Sequence, residues 1–215
     1  RLIRELCMFV TFEGPEGSGK SSQIALLASF LQQRGLTVVT TREPGGTPIG
    51  DEIRACVHNV ANTAMIPTTE MLLYSASRAQ LVGELIRPAL AAGKIVLCDR
   101  YADSTLAYQG YGRRLNLAHL QQVTQIATGG LVPDLTFFLD IDVERGLARR
   151  TDGGLEMNRL DLETVQFHQR VREGYRQLIA ENPSRWEIVD ADRSITAVQQ
   201  DLQRALLARL ETVHS

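Results

Sequence analysis

The stretch GPEGSGKS, Gly14 to Ser21, carries the spacing glycine, four residues, glycine, lysine, serine. Glycines at 14, 17 and 19 let a backbone curl until successive N–H groups converge, and such a nest at a helix start holds polyphosphate. Lys20 supplies a mobile cation for the outer phosphates, and the Ser21 hydroxyl suits a magnesium ion. Chance can produce the pattern, so its context decides. The apolar run Met8–Phe12 ahead of it reads as a buried strand, and Ser22–Gln33 behind it reads as an amphipathic helix. The stretch therefore points to a bound nucleoside triphosphate, with Gly14, Pro15, Glu16, Gly17, Ser18, Gly19, Lys20, Ser21 and Ser22 as its cradle. A second pair, Asp99–Arg100, follows the apolar run KIVLC. Asp99 is placed to hold magnesium directly or through water. Arg100 can clamp the phosphate of a second substrate, since a guanidinium binds phosphate bidentately. A turn aspartate and a surface salt bridge are the bland alternatives for these two.

Residues that must meet this way need a scaffold. Gly35 closes the first helix, and Leu36–Thr41 is a second strand rich in β-branched residues. Arg42–Gly50 is dense in Pro and Gly and reads as a shaped loop, followed by a short helix through Ile53 and Val57. A polar connection runs to Pro67. A long helix is predicted from Thr68 to Ala92, capped by Thr68 or Thr69 with Glu70 in its first turn, and Pro88 should kink or restart it. Lys94–Cys98, Leu135–Leu139 and Trp186–Val189 complete five strands. Helices are predicted at Leu117–Ala127, Val143–Arg150, Leu162–Ala180 and Ser194–Leu210, with the polar stretch TDGGLEMN after the second of these. Alternating strands and helices with nearly continuous apolar strand cores imply an α/β, three-layer P-loop NTPase fold, its five-stranded parallel sheet flanked by helices. Ligands of such a sheet gather at the carboxyl ends of the strands. The P-loop, Arg42–Glu43, Asp99–Arg100, the loop after Asp140, and Asp190 all project there.

The chain of 215 residues fits one domain, read as 8–215 with 1–7 as an N-terminal extension before Met8. A hydrophobic content of 44% supports a sizeable core, and a formal net charge of −2 argues against a general nucleic-acid or membrane-surface binder. Cys7, Cys56 and Cys98 are scattered without metal-ligand spacing, which suits a reducing, cytoplasmic setting. The histidines at 58, 119, 168 and 214 form no cluster and are assigned no chemistry.

FEGPEGSGKSS, REPGGTPIG, the helix segment Ala76–Arg78 and DRYADSTLAYQG together resemble the bacterial thymidylate kinase family, in the right order and over nearly the whole chain. The resemblance implies transfer of phosphate from ATP, with Mg2+, to dTMP, giving dTDP for dTTP synthesis, and a homodimer. It implies that Lys20 and the P-loop amides hold ATP, and that Arg100 stands between donor and acceptor phosphates. Tyr74 falls where the family stacks an aromatic ring on thymine, and Arg78 where a base carbonyl is bonded. Thr105, Tyr108 and Gln109 line up around base and sugar, Glu16 with the sugar 3′-hydroxyl, and Glu43 and Arg54 near the acceptor. From the residues alone, Tyr74 and Arg78, four apart on one helical face, read as a core tyrosine and a solvated charge.

Charge building on the transferred phosphoryl group must be met by fixed cations. The variable P-loop positions, Pro15, Glu16, Gly17 and Ser18, offer none. The segment 148–161, ARRTDGGLEMNRLD, resembles an arginine-bearing lid, so Arg149, Arg150 and Arg159 are its candidate catalytic cations. It departs from the usual pattern in having Asn158 where aspartate is common. A deoxynucleoside or other nucleotide kinase on the same fold is the nearest rival. A GTPase or ATPase switch is the next, though no N-K-x-D segment is present.

Overall fold

A computed structural model describes residues 7–152 and 157–212. The extension expected at 1–7 lies almost wholly outside the described residues, as does the glycine-rich centre of the lid, 153–156. Five parallel strands, β1 (Met8–Glu13), β2 (Val38–Arg42), β3 (Ile95–Asp99), β4 (Leu135–Asp140) and β5 (Trp186–Asp190), lie in the order β2-β3-β1-β4-β5. Register is set by pairs such as Val10 with Leu97 on one side and Leu135 on the other. Central β1 is buried along its whole length. Strand alternation sends Val10, Phe12, Leu97, Phe137 and Leu139 to one face, under α1 (Lys20–Gln32) and α9 (Ile195–Thr212). Phe9, Val96 and Cys98 go to the other face, against α3 (Pro67–Leu81) and its continuation. This is the three-layer arrangement expected of strands covered on both sides. Edge strand β2 is only half-buried, so its core is not the closed apolar run of the central strands.

Several boundaries differ for local reasons. Helix α1 starts at Lys20 because Gly19, in the left-handed region at φ 86°, is its N-cap. Helix α2 (Pro48–His58) takes the end of the predicted loop, capped by Thr47, whose hydroxyl accepts from Gly50 N at 3.0 Å. Helix α3 is capped at Ile66 rather than at Thr68 or Thr69, since Pro67 is already preset for the first helical position. The expected break at Pro88 takes the form of a π-turn, Val82–Ile86, in which Arg87 N bonds Val82 O before α4 (Arg87–Ala91). The wide turn accommodates a proline that has no N–H to give.

A short α5 (Ala102–Thr105) runs into a second π-turn, Leu106–Gly112, where strand and helix periodicity gave no prediction. Helices α6 (Leu117–Thr128) and α7 (Val143–Asp152) follow close to expectation. Helix α8 (Val165–Glu181) begins later than Leu162 because Thr164 caps it, accepting from Phe167 N at 3.2 Å. No described helix is long and apolar enough to cross a membrane.

Candidate active site

At the carboxyl edge of the sheet, one cavity of about 340 Å³ is lined by the P-loop on one side and by α2, α3 and the segment after β3 on the other. The P-loop is shaped by close backbone approach. A Cβ on Gly17 would stand 1.9 Å from Gly146 O, and one on Gly146 would stand 2.3 Å from Glu16 O, so α7 packs directly on the loop. Lys20 is buried and gives its ammonium to Gly14 O at 3.2 Å, Pro15 O at 3.0 Å and Ser18 Oγ at 3.1 Å. Burial, then the nearby charge of Arg100, lowers its pKa to about 8, against the pull of Asp99, Glu16 and Glu13. Among the described residues, no carboxylate is in hydrogen-bond contact with this cation. The Ser21 hydroxyl donates to Asp99 Oδ2 at 2.7 Å, which places a hydroxyl and a carboxylate oxygen together beside the phosphate nest. Magnesium favours oxygen ligands of this kind, few from protein and the rest from phosphate and water.

Arg100 stands where the two halves of the cavity meet. Its backbone is in the left-handed region, φ 69°, a strained conformation for a non-glycine residue. Arg100 N bonds Phe12 O at 2.9 Å, and Tyr101 N bonds Glu13 Oε1 at 2.8 Å, which fixes the peptide on both sides. The guanidinium reaches Glu16 Oε1 at 2.7 Å and Gly14 O at 3.1 Å, and lies 4.9 Å from the Tyr108 ring centroid. Tyr108 also donates to Glu16 Oε1, at 2.8 Å. Burial raises the Glu16 pKa, but Arg100, Lys20 and the Tyr108 hydroxyl outweigh it and leave it at about 2. Glu16 thus favours its anionic form, held by Arg100 and the Tyr108 hydroxyl.

The side of the cavity away from the P-loop is made of side chains. Arg78 is 1% exposed. It donates to Glu43 Oε2 at 2.8 Å, Thr105 Oγ1 at 2.9 Å and Tyr101 O at 3.0 Å. Its reading from residue type alone, a solvated charge, is overturned by this burial, which the Glu43 counter-ion permits. Burial still raises the Glu43 pKa despite Arg78. Tyr74 is half-buried and lines the cavity, as do Arg54, Thr105, Tyr108 and Gln109. Arg54 is held by Pro44 O at 2.9 Å.

The candidate lid arginines separate. Arg149 donates to Ala191 O and Asp192 Oδ1, both at 3.0 Å, Arg150 to Asp161 Oδ2 at 2.9 Å, and both line the cavity. Arg159 turns the other way, pairing with Glu70 and donating to Val57 O at 3.2 Å, while its backbone N bonds His58 O. It is not among the residues lining the cavity.

Three residues escaped sequence reasoning. Glu13 accepts from Tyr101 N, from Ser104 Oγ at 2.6 Å and from Tyr175 OH at 2.7 Å, and burial with the charge of Asp103 pushes its pKa up to about 7. A carboxylate ending the apolar run MFVTFE was the available signal. His58 lines the cavity, with its pKa lowered to about 4 by burial and by Arg54, and it gave no signal as a lone histidine. Glu70, read only as a first-turn acid, is 1% exposed and gathers Gln109, Arg113 and Arg159.

Comparison with known proteins places the chain in a family. A family profile described as Thymidylate kinase matches residues 12–202. The chain is 53% identical over 225 residues to a Thymidylate kinase of Roseiflexus sp. (strain RS-1), covering 97% of this chain and 100% of the relative. It is 49% identical over 232 residues to a Thymidylate kinase of Herpetosiphon aurantiacus, covering 97% and 98% respectively. The solved structure of thymidylate kinase from Ehrlichia chaffeensis superposes with a TM-score of 0.77 at 32% identity, covering 93% of this chain and 98% of that one. With the P-loop and Arg100 lining one cavity at the sheet edge, the chain belongs to the thymidylate kinase family, enzymes that phosphorylate dTMP.

Proposed function

We propose that the cavity holds ATP on the P-loop and dTMP on the wall of Tyr74, Arg78, Thr105, Tyr108 and Gln109, and that Arg100 bridges their phosphates. The observation that carries this reading is the placement of Arg100, a fixed guanidinium between a phosphate nest and a pocket lined by an aromatic ring. In the reaction a dTMP phosphate oxygen attacks the γ-phosphorus of ATP, the bond to the bridging oxygen breaks, and ADP leaves. Lys20 turns from its carbonyl partners onto the outer phosphates, trading neutral acceptors for an anion. Arg100 holds the attacking phosphate in line. Arg149 and Arg150, which line the same cavity, supply the charge that the P-loop lacks. Glu16 accepts from the sugar 3′-hydroxyl, and Tyr108 crowds out a 2′-hydroxyl. Magnesium, held beside Ser21 and Asp99, would neutralise the β- and γ-oxygens. Arg159, tied to Glu70 and the end of α2, is assigned to holding its segment rather than to the γ-phosphate. The homodimer implied by the resemblance belongs to this reading, with α3, which carries exposed Leu72, offered as its face.

A coupled assay with dTMP, dUMP, dCMP and thymidine as acceptors tests it. Phosphorylation of dTMP far ahead of thymidine is expected, because Arg100 needs an acceptor phosphate. Preference for thymidine, or nucleotide hydrolysis without any acceptor, overturns it.

A further inference from the structure

Glu70 lies at the first turn of α3, outside the cavity lining, yet it is among the most heavily bonded side chains near the site. It is 1% exposed. Gln109 Nε2 donates to its Oε1 at 2.8 Å, Arg113 donates to Oε1 and Oε2, each at 3.1 Å, and Arg159 pairs with Oε2. Burial alone would raise the Glu70 pKa, but the bonds from Arg113 and Gln109, with the Arg113 charge, bring it below the ordinary carboxylate value. Glu70 is therefore an ionised carboxylate, and an ionised carboxylate only accepts.

That has a consequence for Gln109. A glutamine amide has one donating end and one accepting end, and rotation about its last bond exchanges them. An acceptor-only neighbour that is itself anchored by two guanidinium groups abolishes the choice. The NH2 must face Glu70, and the carbonyl oxygen is the end left for the cavity that Gln109 lines. A carbonyl there accepts from an N3–H group, which thymine and uracil carry. It opposes the lone pair that cytosine presents at the same ring position. A buried hydrogen-bonding group left without its partner is costly, so a fixed acceptor discriminates more sharply than a rotating amide.

We propose that Glu70 is a positioning residue for base selection: by fixing the Gln109 amide with its oxygen toward the acceptor base, it admits an imide pyrimidine and rejects cytosine. This rests on the placement of dTMP proposed above. Arg113 and Arg159 serve the same end from outside the pocket, by keeping the carboxylate anchored.

The test is the ratio of kcat/KM for dTMP to that for dCMP in Glu70→Gln, with Gln109→Ala and the double variant completing a cycle. Gln at position 70 keeps the size and can either donate or accept, so the Gln109 amide regains both orientations. The expected result is a fall of roughly tenfold or more in the ratio for E70Q, the scale of one hydrogen bond gained or lost. The same substitution should change the ratio little in the Q109A background, where no amide is left to orient. A merely structural role would lower both activities together and leave the ratio unchanged, and that outcome overturns the proposal. So does an equal fall in the ratio in both backgrounds. If E70Q does not fold, Arg113→Met, which leaves the carboxylate but removes one anchor, should lower the ratio by a smaller factor, and an unchanged ratio there also overturns it. Absence of dTMP kinase activity in the unmodified enzyme would instead sink the dTMP placement, so the two failures are distinguishable.

Discussion

Lys20 and Arg78 are both buried cations on the same sheet edge, and they are held in opposite ways. Among the described residues Lys20 has two carbonyls and a hydroxyl as partners, and burial lowers its pKa to about 8. Arg78 has a carboxylate in contact, and although burial acts against its charge, Glu43 leaves its pKa raised. The donor half thus keeps a destabilised cation that improves its surroundings when an anion arrives. On the proposed placement of dTMP, the acceptor half keeps a neutralised cation, suited to an uncharged base rather than to a phosphate. A site that must hold a polyphosphate and a neutral ring side by side needs both arrangements.

The sharpest way to break this comparison is to remove each charge in turn. Arg78→Met strands Glu43 as a buried, unpaired carboxylate, and thermal or denaturant unfolding should show a loss of about 3–5 kcal/mol. Lys20→Met removes a cation held at a cost, so the fold should be unchanged or slightly firmer. Equal losses for the two variants would mean that the halves do not differ as described.

A smaller effect sharpens the same point through pH. Because the folded pKa of Lys20 lies below its unfolded value of 10.5, its charge costs stability below about pH 8, and that cost disappears as pH rises from about 8 to 10.5. Binding runs the other way, since the nest needs the charged form. The Kd for ATP should be flat below about pH 7 and weaken toward about tenfold per unit above pH 8. In Lys20→Arg, whose guanidinium stays charged, the weakening should vanish. A Kd that does not change between pH 7 and 9.5 in the unmodified enzyme would argue against a buried, titrating lysine.

The two halves also differ in how much of them the sequence disclosed. The P-loop is a contiguous run whose function depends on backbone N–H groups, so its residues and spacing announce it directly. The five strands and their parallel class followed from apolar runs and alternation, with β2 less buried than its composition promised because it lies at an edge. The proposed acceptor wall is assembled from separated segments, α3 and the stretch 105–109, and its chemistry depends on which side chains meet. Arg78 illustrates the loss: type and helical position indicate a surface charge, and only the partner Glu43, 35 residues away, makes it a buried one. Resemblance to a family supplied what spacing could not. Neither route found Glu13 or Glu70: the acid ending an apolar strand and the acid in a first helical turn each fit a local role, and their distant partners are visible only in the fold. The π-turn at Leu106–Gly112, which brings Tyr108 and Gln109 to the cavity, has no periodic signature either.

The account as a whole requires two phosphates to meet at Arg100. A single molecule joining adenosine to thymidine through five phosphates would span both halves, so its Kd, measured by calorimetry on the unmodified enzyme and on Arg100→Ala, is the most direct test. The expected result is binding at least a hundredfold tighter than ATP alone, with most of that advantage lost in Arg100→Ala. Binding no tighter than ATP, or an advantage untouched by the substitution, would contradict the placement of the acceptor opposite the P-loop.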